Sequence, residues 1–269
     1  MGDYLKGVLS LIILLFLVVS VTNAAFQRQR NLPVVWPENE LRAVQVFTTN
    51  PAGLSRQESF LVASDISQLF GLRDLQNIRT IGLLPVSWGT VAVGANFFGN
   101  QQYAEQLFSF AIARQVTNYG YVGFSIHGNT LSIPKYGNAS TVSLDIGTIW
   151  DVSKTVQWEL AYGNLTNAHI GKARDEIPQQ ILSGFTVMPR EDVVTAGYVM
   201  HDLRHPLRYG VGVGYSIFPW LSVGSSVFTE PVRVQAGINL RWNQVNGQYI
   251  LSTHPVLPAT HRFGVVLSF

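Results

Sequence analysis

The sequence predicts an all-β fold: a transmembrane, antiparallel up-and-down β-barrel of about fourteen strands, with a short N-terminal segment in the lumen or at the periplasmic mouth. Three observations predict it. Apolar and polar residues alternate along most of the chain, the period of a strand with one face in an apolar medium. Charged residues make up only 13%, aromatics 12%, and there are 24 glycines, whereas soluble domains average roughly 25% charged residues. No long apolar run follows Val21, so spanning helices do not account for this composition. An apolar outward face with a polar inward face does.

The chain is read in order. Val8–Val21 is apolar except for Ser10 and Ser20, with Lys6 before it and Ala24 and Ala25 after it. Residues 1–24 therefore read as a secretory signal peptide cut after Ala24; the run is short for a spanning helix. There is no Cys, which excludes a lipid-anchored N-terminus, disulfides and thiolate metal sites. The formal charge of +2 and the lack of a basic cluster with interleaved aromatics exclude nucleic acid as a partner.

Residues 25–58 form a separate N-terminal segment. Phe26–Arg56 has no sustained alternation, and Asn50-Pro51-Ala52-Gly53-Leu54 reads as a turn that opens or closes a short helix. About thirty residues is too long for an idle tail, so this segment is the candidate for material inside the barrel.

Residues 59–269 are the barrel. The strands are expected at 59–68, 77–85, 88–99, 103–115, 118–132, 140–151, 155–166, 177–188, 192–203, 206–218, 220–228, 231–242, 246–256 and 259–269, near the length a tilted membrane strand needs. In 231–242, Val232, Val234, Ala236, Ile238, Leu240 and Trp242 oppose Arg233, Gln235, Gly237, Asn239 and Arg241. In 207–218, Tyr209, Val211, Val213, Tyr215 and Ile217 oppose Arg208, three glycines and Ser216. Inward faces rich in Gly, Ser, Gln and Arg suit a crowded lumen. Short links at 85–88, 116–118, 151–154, 189–191, 218–220 and 243–246 are expected periplasmic turns, and 69–76, 133–139 and 167–177 longer outer links. Trp88, Tyr119, Trp150, Phe218 and Trp220 sit near strand ends, as an aromatic girdle requires.

The last strand ends on Phe269. Arg262, Gly264, Leu267 and Phe269 resemble the C-terminal assembly signal of bacterial outer-membrane barrels. Barrel-assembly machinery and outer-membrane lipid are then the expected partners, in a Gram-negative outer membrane.

Asn50-Pro51-Ala52-Gly53-Leu54 also resembles a hallmark of FadL-type outer-membrane barrels. Three further stretches, 103–106, 143–147 and 254–262, resemble the PorV/PorQ branch. The likeness runs over nearly all of the mature chain, in short motifs. It implies a fourteen-strand barrel acting as a non-enzymatic accessory of type IX-like protein secretion or surface attachment, with secretion components or exported cargo as partners. The alternative it implies is a FadL-like transporter or channel for hydrophobic small molecules such as fatty acids. A structural or small-solute pore is the third reading. The chain is shorter than typical fatty-acid channels, and Pro258 stands where relatives more often have Gly.

Candidate chemistry is sparse. All six His, at 127, 169, 201, 205, 254 and 261, fall in the outer half of this topology, and a hydrogen-bonded rim explains them more simply than a metal site. No compact Ser, His and acid constellation is apparent, so no catalytic residue, metal or cofactor is expected. The functional material is the set of inward charges, Asp145, Glu159, Arg208, Arg233, Arg241 and Arg262. Buried charges must be paired or wet, so these read as a network holding the lumen closed. The sharper reading is that the arginines on neighbouring strands attract an anionic head group.

Overall fold

The computed structural model describes residues 34–37, 39–172, 174–203 and 205–269. The expected signal peptide, and the first part of the N-terminal segment, lie outside the described residues.

A helix, α1 (Asn39–Val46), and a six-residue 3-10 helix, Pro51–Arg56, precede the wall. The strands are β1 (Leu61–Gln68), β2 (Gln76–Val86), β3 (Gly89–Gly99), β4 (Ala104–Thr117), β5 (Gly120–Ile133), β6 (Gly137–Asp151) and β7 (Val156–Gly163). After a two-residue hairpin pair, β8 (His169–Ile170) and β9 (Asp175–Glu176), come β10 (Gln180–Arg190), β11 (Val193–Asp202), β12 (Arg208–Phe218), β13 (Leu221–Phe228), β14 (Arg233–Trp242), β15 (Val245–Ser252) and β16 (Thr260–Ser268). All but β8 and β9 join in one closed antiparallel barrel of fourteen strands. The first strand closes against the last, with Leu61 opposite Ser268 and Asp65 opposite Gly264.

Alternation sets which face looks inward. On β14, Val234 and Ile238 are exposed while Gln235 and Asn239 are buried. On β12, Tyr209, Val211, Val213 and Tyr215 are exposed and Gly210 and Gly214 buried. A polar-in, apolar-out wall is stable only where the outside is apolar. At the end of the barrel that carries residues 61 and 268 (the terminal end), Trp88, Tyr119, Phe218 and Trp220 are exposed, and Phe218 stacks on Trp220 at 5.4 Å.

Two expected links differ. The long link at 133–139 is a three-residue turn, Pro134-Lys135-Tyr136, with Lys135 at φ 76°. Asn138 and Ser140 belong to β6, opposite Ser132 and Thr130, and the Thr130 and Ser140 hydroxyls bond at 3.0 Å. This top of β6 has polar residues on both faces, so it carries no apolar alternation to detect. Conversely, β7 stops at Gly163 rather than continuing to 166. Asn164 sits at φ 54° and is fully buried. Its amide nitrogen donates to the Ile177 carbonyl at 2.7 Å, and its side-chain oxygen accepts from the Ala168 N–H at 2.8 Å. That hub folds the link inward, where Ala168, Ile170 and Ile177 pack against Leu131 and Ala139.

Candidate functional site: the plugged lumen

A fourteen-strand barrel is too wide for its own side chains to fill easily; about eight strands is the width they fill. The terminal half is filled by the N-terminal segment. Val34, Trp36, Leu41, Val44, Phe47 and Leu54 form one buried apolar cluster with inward wall residues Leu61, Ile81, Leu83, Ala92, Ala111 and Val266. The wall makes room with small residues. A Cβ at Gly147 would overlap Asn50 Oδ1, and one at Gly123 would overlap the Pro51 backbone. On the opposite wall, the Trp36 ring lies against Gly237 and Gly224.

Asn50 fixes the segment. It is fully buried and caps the 3-10 helix, accepting from the Ala52 N–H at 3.2 Å. Its amide donates to the Thr148 carbonyl at 3.2 Å and to Glu159 Oε2 at 3.0 Å. Pro51 follows at the first helical position, where a missing N–H costs nothing. Two ion pairs latch the segment to the wall, Arg56–Asp151 at 2.5 Å and Glu40–Arg241 at 2.6 Å. The Arg56 guanidinium also lies 4.3 Å from the centre of the Tyr121 ring. At this level each wall strand pairs with both neighbours, through Thr90–Ala113, Ala113–Gly123, Gly123–Gly147 and Gly147–Ala161. Among the described residues the wall from β3 to β7 has no lateral opening beside the segment.

The far half of the lumen is polar. Arg79 contacts Asp65 at 2.6 Å, and Arg262 lies 3.9 Å from the same carboxylate. Arg233, Arg262, Gln235, Ser252, Thr260, Leu69, Phe70 and Ile250 line a cavity of about 30 Å³. Arg208 and Arg233 lie on inward positions two strands apart, and neither is in an ion pair among the described residues. In the far link after β15, burial lowers the His254 pKa below its ordinary value, and the charge of Arg233 lowers it further. His254 Nδ1 accepts from the Val256 and Leu257 N–H groups at 3.2 and 3.1 Å.

The structure brings together one constellation that the sequence reading missed. Ser109, His127 and Asp145 lie on inward positions of β4, β5 and β6. Ser109 Oγ is 2.6 Å from His127 Nδ1, and Asp145 Oδ2 and Ser125 Oγ are 3.1 and 2.9 Å from Nε2. This is the order of groups that activates a serine nucleophile. Here Ser109, His127 and Asp145 are all buried, and Asp145 also accepts from the Asn164 N–H at 2.8 Å. The cluster is a cross-strand strut. The other histidines are scattered: His261 pairs with the Tyr249 hydroxyl at 2.8 Å and His169 with Glu176 at 3.8 Å. Among the described residues no three His, Asp or Glu side chains group as a metal-ligand set.

Of the C-terminal residues, Gly264 faces inward beside Gln248 and Asp65. Phe269 is exposed, its ring 5.8 Å from Phe60 and its N–H bonded to the Phe60 carbonyl at 2.9 Å.

No family model matches the chain, and no curated protein matches it in sequence. Solved structures do match in fold. A CymD monoaromatic hydrocarbon channel aligns over 84% of this chain and 92% of its own, at 10% identity and TM-score 0.59. The Ralstonia pickettii toluene transporter TbuX aligns over 83% and 92%, at 9% identity and TM-score 0.62. A Pseudomonas aeruginosa FadL homologue aligns over 92% and 97%, at 6% identity and TM-score 0.58. At these identities the likeness is one of fold. The likeness to the PorV/PorQ branch rests on the short motifs alone.

Proposed function

We propose that this protein is a non-enzymatic outer-membrane channel for small hydrophobic molecules, closed by its own N-terminal segment. The observation that carries this reading is a FadL-like barrel whose terminal half is occupied by residues 34–37 and 39–57. A monoaromatic hydrocarbon channel and a toluene transporter share the barrel, so the proposed cargo is of that class. Phe269 is proposed as the residue read by the assembly machinery, and Asn50–Leu54 as the anchor of the plug.

Labelled toluene uptake into proteoliposomes tests it. Uptake above that of empty vesicles, rising when residues 27–56 are deleted from a barrel that still assembles, is the expected result. Uptake equal to empty vesicles for both proteins would remove the proposal.

The close packing of the lumen favours a second reading, a PorV/PorQ-like accessory that conducts nothing. Recovery of secretion components or exported cargo with the intact protein from outer membranes, together with no uptake, would favour it.

A further inference from the structure

We propose that the far half of the lumen holds a binding site for a small monovalent anion, a halide or a carboxylate group, between Arg233 and Arg262. The site does not depend on what the barrel transports.

The first argument is charge. Asp65 takes Arg79 at 2.6 Å, and Arg262 reaches the same carboxylate only at 3.9 Å. Arg208 and Arg233 have no carboxylate partner among the described residues. Two guanidinium groups thus share one carboxylate and two have none. These side chains are part-exposed, and water solvates them without neutralising their mutual repulsion.

The second argument is hydrogen bonding. The Nε atoms of Arg233 and Arg262 are both buried with no hydrogen-bond partner, that of Arg262 lying 3.9 Å from Asp65 Oδ1, and both residues line the same cavity. The other polar groups there also have protons to give. Ser252 Oγ accepts from Gln235 Nε2 at 3.4 Å, and Thr260 Oγ1 accepts from the Phe70 N–H at 3.1 Å. Each hydroxyl keeps its own proton as a free donor. A pocket lined by two guanidinium groups and two hydroxyls, and by no carboxylate, suits an acceptor-only ligand.

The third argument is size. About 30 Å³ is room for two or so waters at roughly 10–15 Å³ each. A chloride ion or a carboxylate head fits, and an aromatic ring does not. Leu69, Phe70 and Ile250 also line the cavity and would take the first carbons behind a carboxylate.

The experiment uses full-length protein in detergent, in a gluconate buffer of constant ionic strength. Chloride, acetate and octanoate are titrated while the heat-modifiable unfolding transition is followed. A saturable rise in the transition with chloride and acetate is expected. Arg233→Gln should weaken the response at least tenfold, and Arg190→Gln, on an exposed arginine at the other end of the barrel, should leave it unchanged. Octanoate acting at concentrations at least tenfold below acetate identifies the acid end of an amphiphile as the ligand; equal potency identifies the free ion. If Arg233→Gln fails to assemble, Thr260→Val removes a donor without changing charge and should weaken the response severalfold. Bromide anomalous scattering from wild-type crystals supplies a second measurement. No saturable response to any of the anions, or no bromide peak between Arg233 and Arg262, overturns the proposal.

Discussion

The two halves of the lumen are filled by opposite means. In the terminal half the wall retreats to glycine and a foreign stretch of the same chain packs against it. In the far half the wall supplies the filling, with Arg, Gln, Asn and His reaching inward beyond the plug. The first is an ordinary apolar core with an Asn–Glu hydrogen bond at its centre. The second is a polar network with orphaned donors, including Arg233 Nε and Arg262 Nε. One β-wall therefore carries a stable seat at one end and a charged vestibule at the other. The switch falls where inward positions change from Gly147 and Gly237 to Asp145 and Gln235, two residues along the same strands.

If that contrast is right, the largest effect comes from the seat. Trp36 is fully buried, and Trp36→Ala should cost about 3–5 kcal/mol in the unfolding of the plug, read by hydrogen exchange of residues 39–57. An effect under about 1 kcal/mol would mean that the segment does not depend on its glycine-lined seat.

Next in size is the wall itself. Val234→Arg places a cation outward on β14, and should cost about 2–4 kcal/mol in lipid. The neighbouring Gln235→Arg points into the vestibule and should cost much less. Equal losses in reversible unfolding would reverse the assignment of the two faces.

Asn50→Ala should cost about 1–3 kcal/mol, because it removes the cap and a donor to Glu159. Asn50→Asp keeps the cap oxygen and should lose more than the alanine variant, since it sets a second carboxylate beside Glu159. A milder effect for Asp than for Ala, measured by the same exchange, would mean that Glu159 is not held as described.

The smallest effect is at the vestibule rim. His254 faces Arg233 and the Phe70 ring, and its folded pKa lies below the ordinary histidine value. In the window between the two values the unfolded link binds a proton that the folded one does not, so the stabilisation is present above the ordinary value and is lost as pH falls through the window. Protonation also removes the Nδ1 acceptor. The Val256 and Leu257 amides should lose protection at low pH, beyond the intrinsic pH trend of exchange, and His254→Ala should abolish that extra dependence.

The wall was legible because its information is local: strands such as β12 and β14 alternate within a single stretch of sequence. The top of β6 was not, because Asn138 and Ser140 are polar residues whose strand identity comes from pairing with β5. The seat was half legible. Asn50–Leu54 marked a turn, but its contact with Gly147 joins residues that no local pattern connects. Ser109, His127 and Asp145 were hidden for the same reason. Their equal separations of 18 residues were the available signal, since two successive hairpins in register place such residues side by side. The pairing of Arg233 with Arg262 depends on the stagger of β14 to β16, which alternation alone does not fix.

Only Gln57–Phe60 separates the 3-10 helix from β1. The plug is thus a tethered ligand of its own barrel. A tether this short gives effective concentrations of order millimolar, so a plug that leaves its seat stays beside it. Even a weakened plug would re-seat quickly, and opening would be brief and self-limiting. The same segment supplied as a free peptide would have to reach that concentration to close the barrel as well.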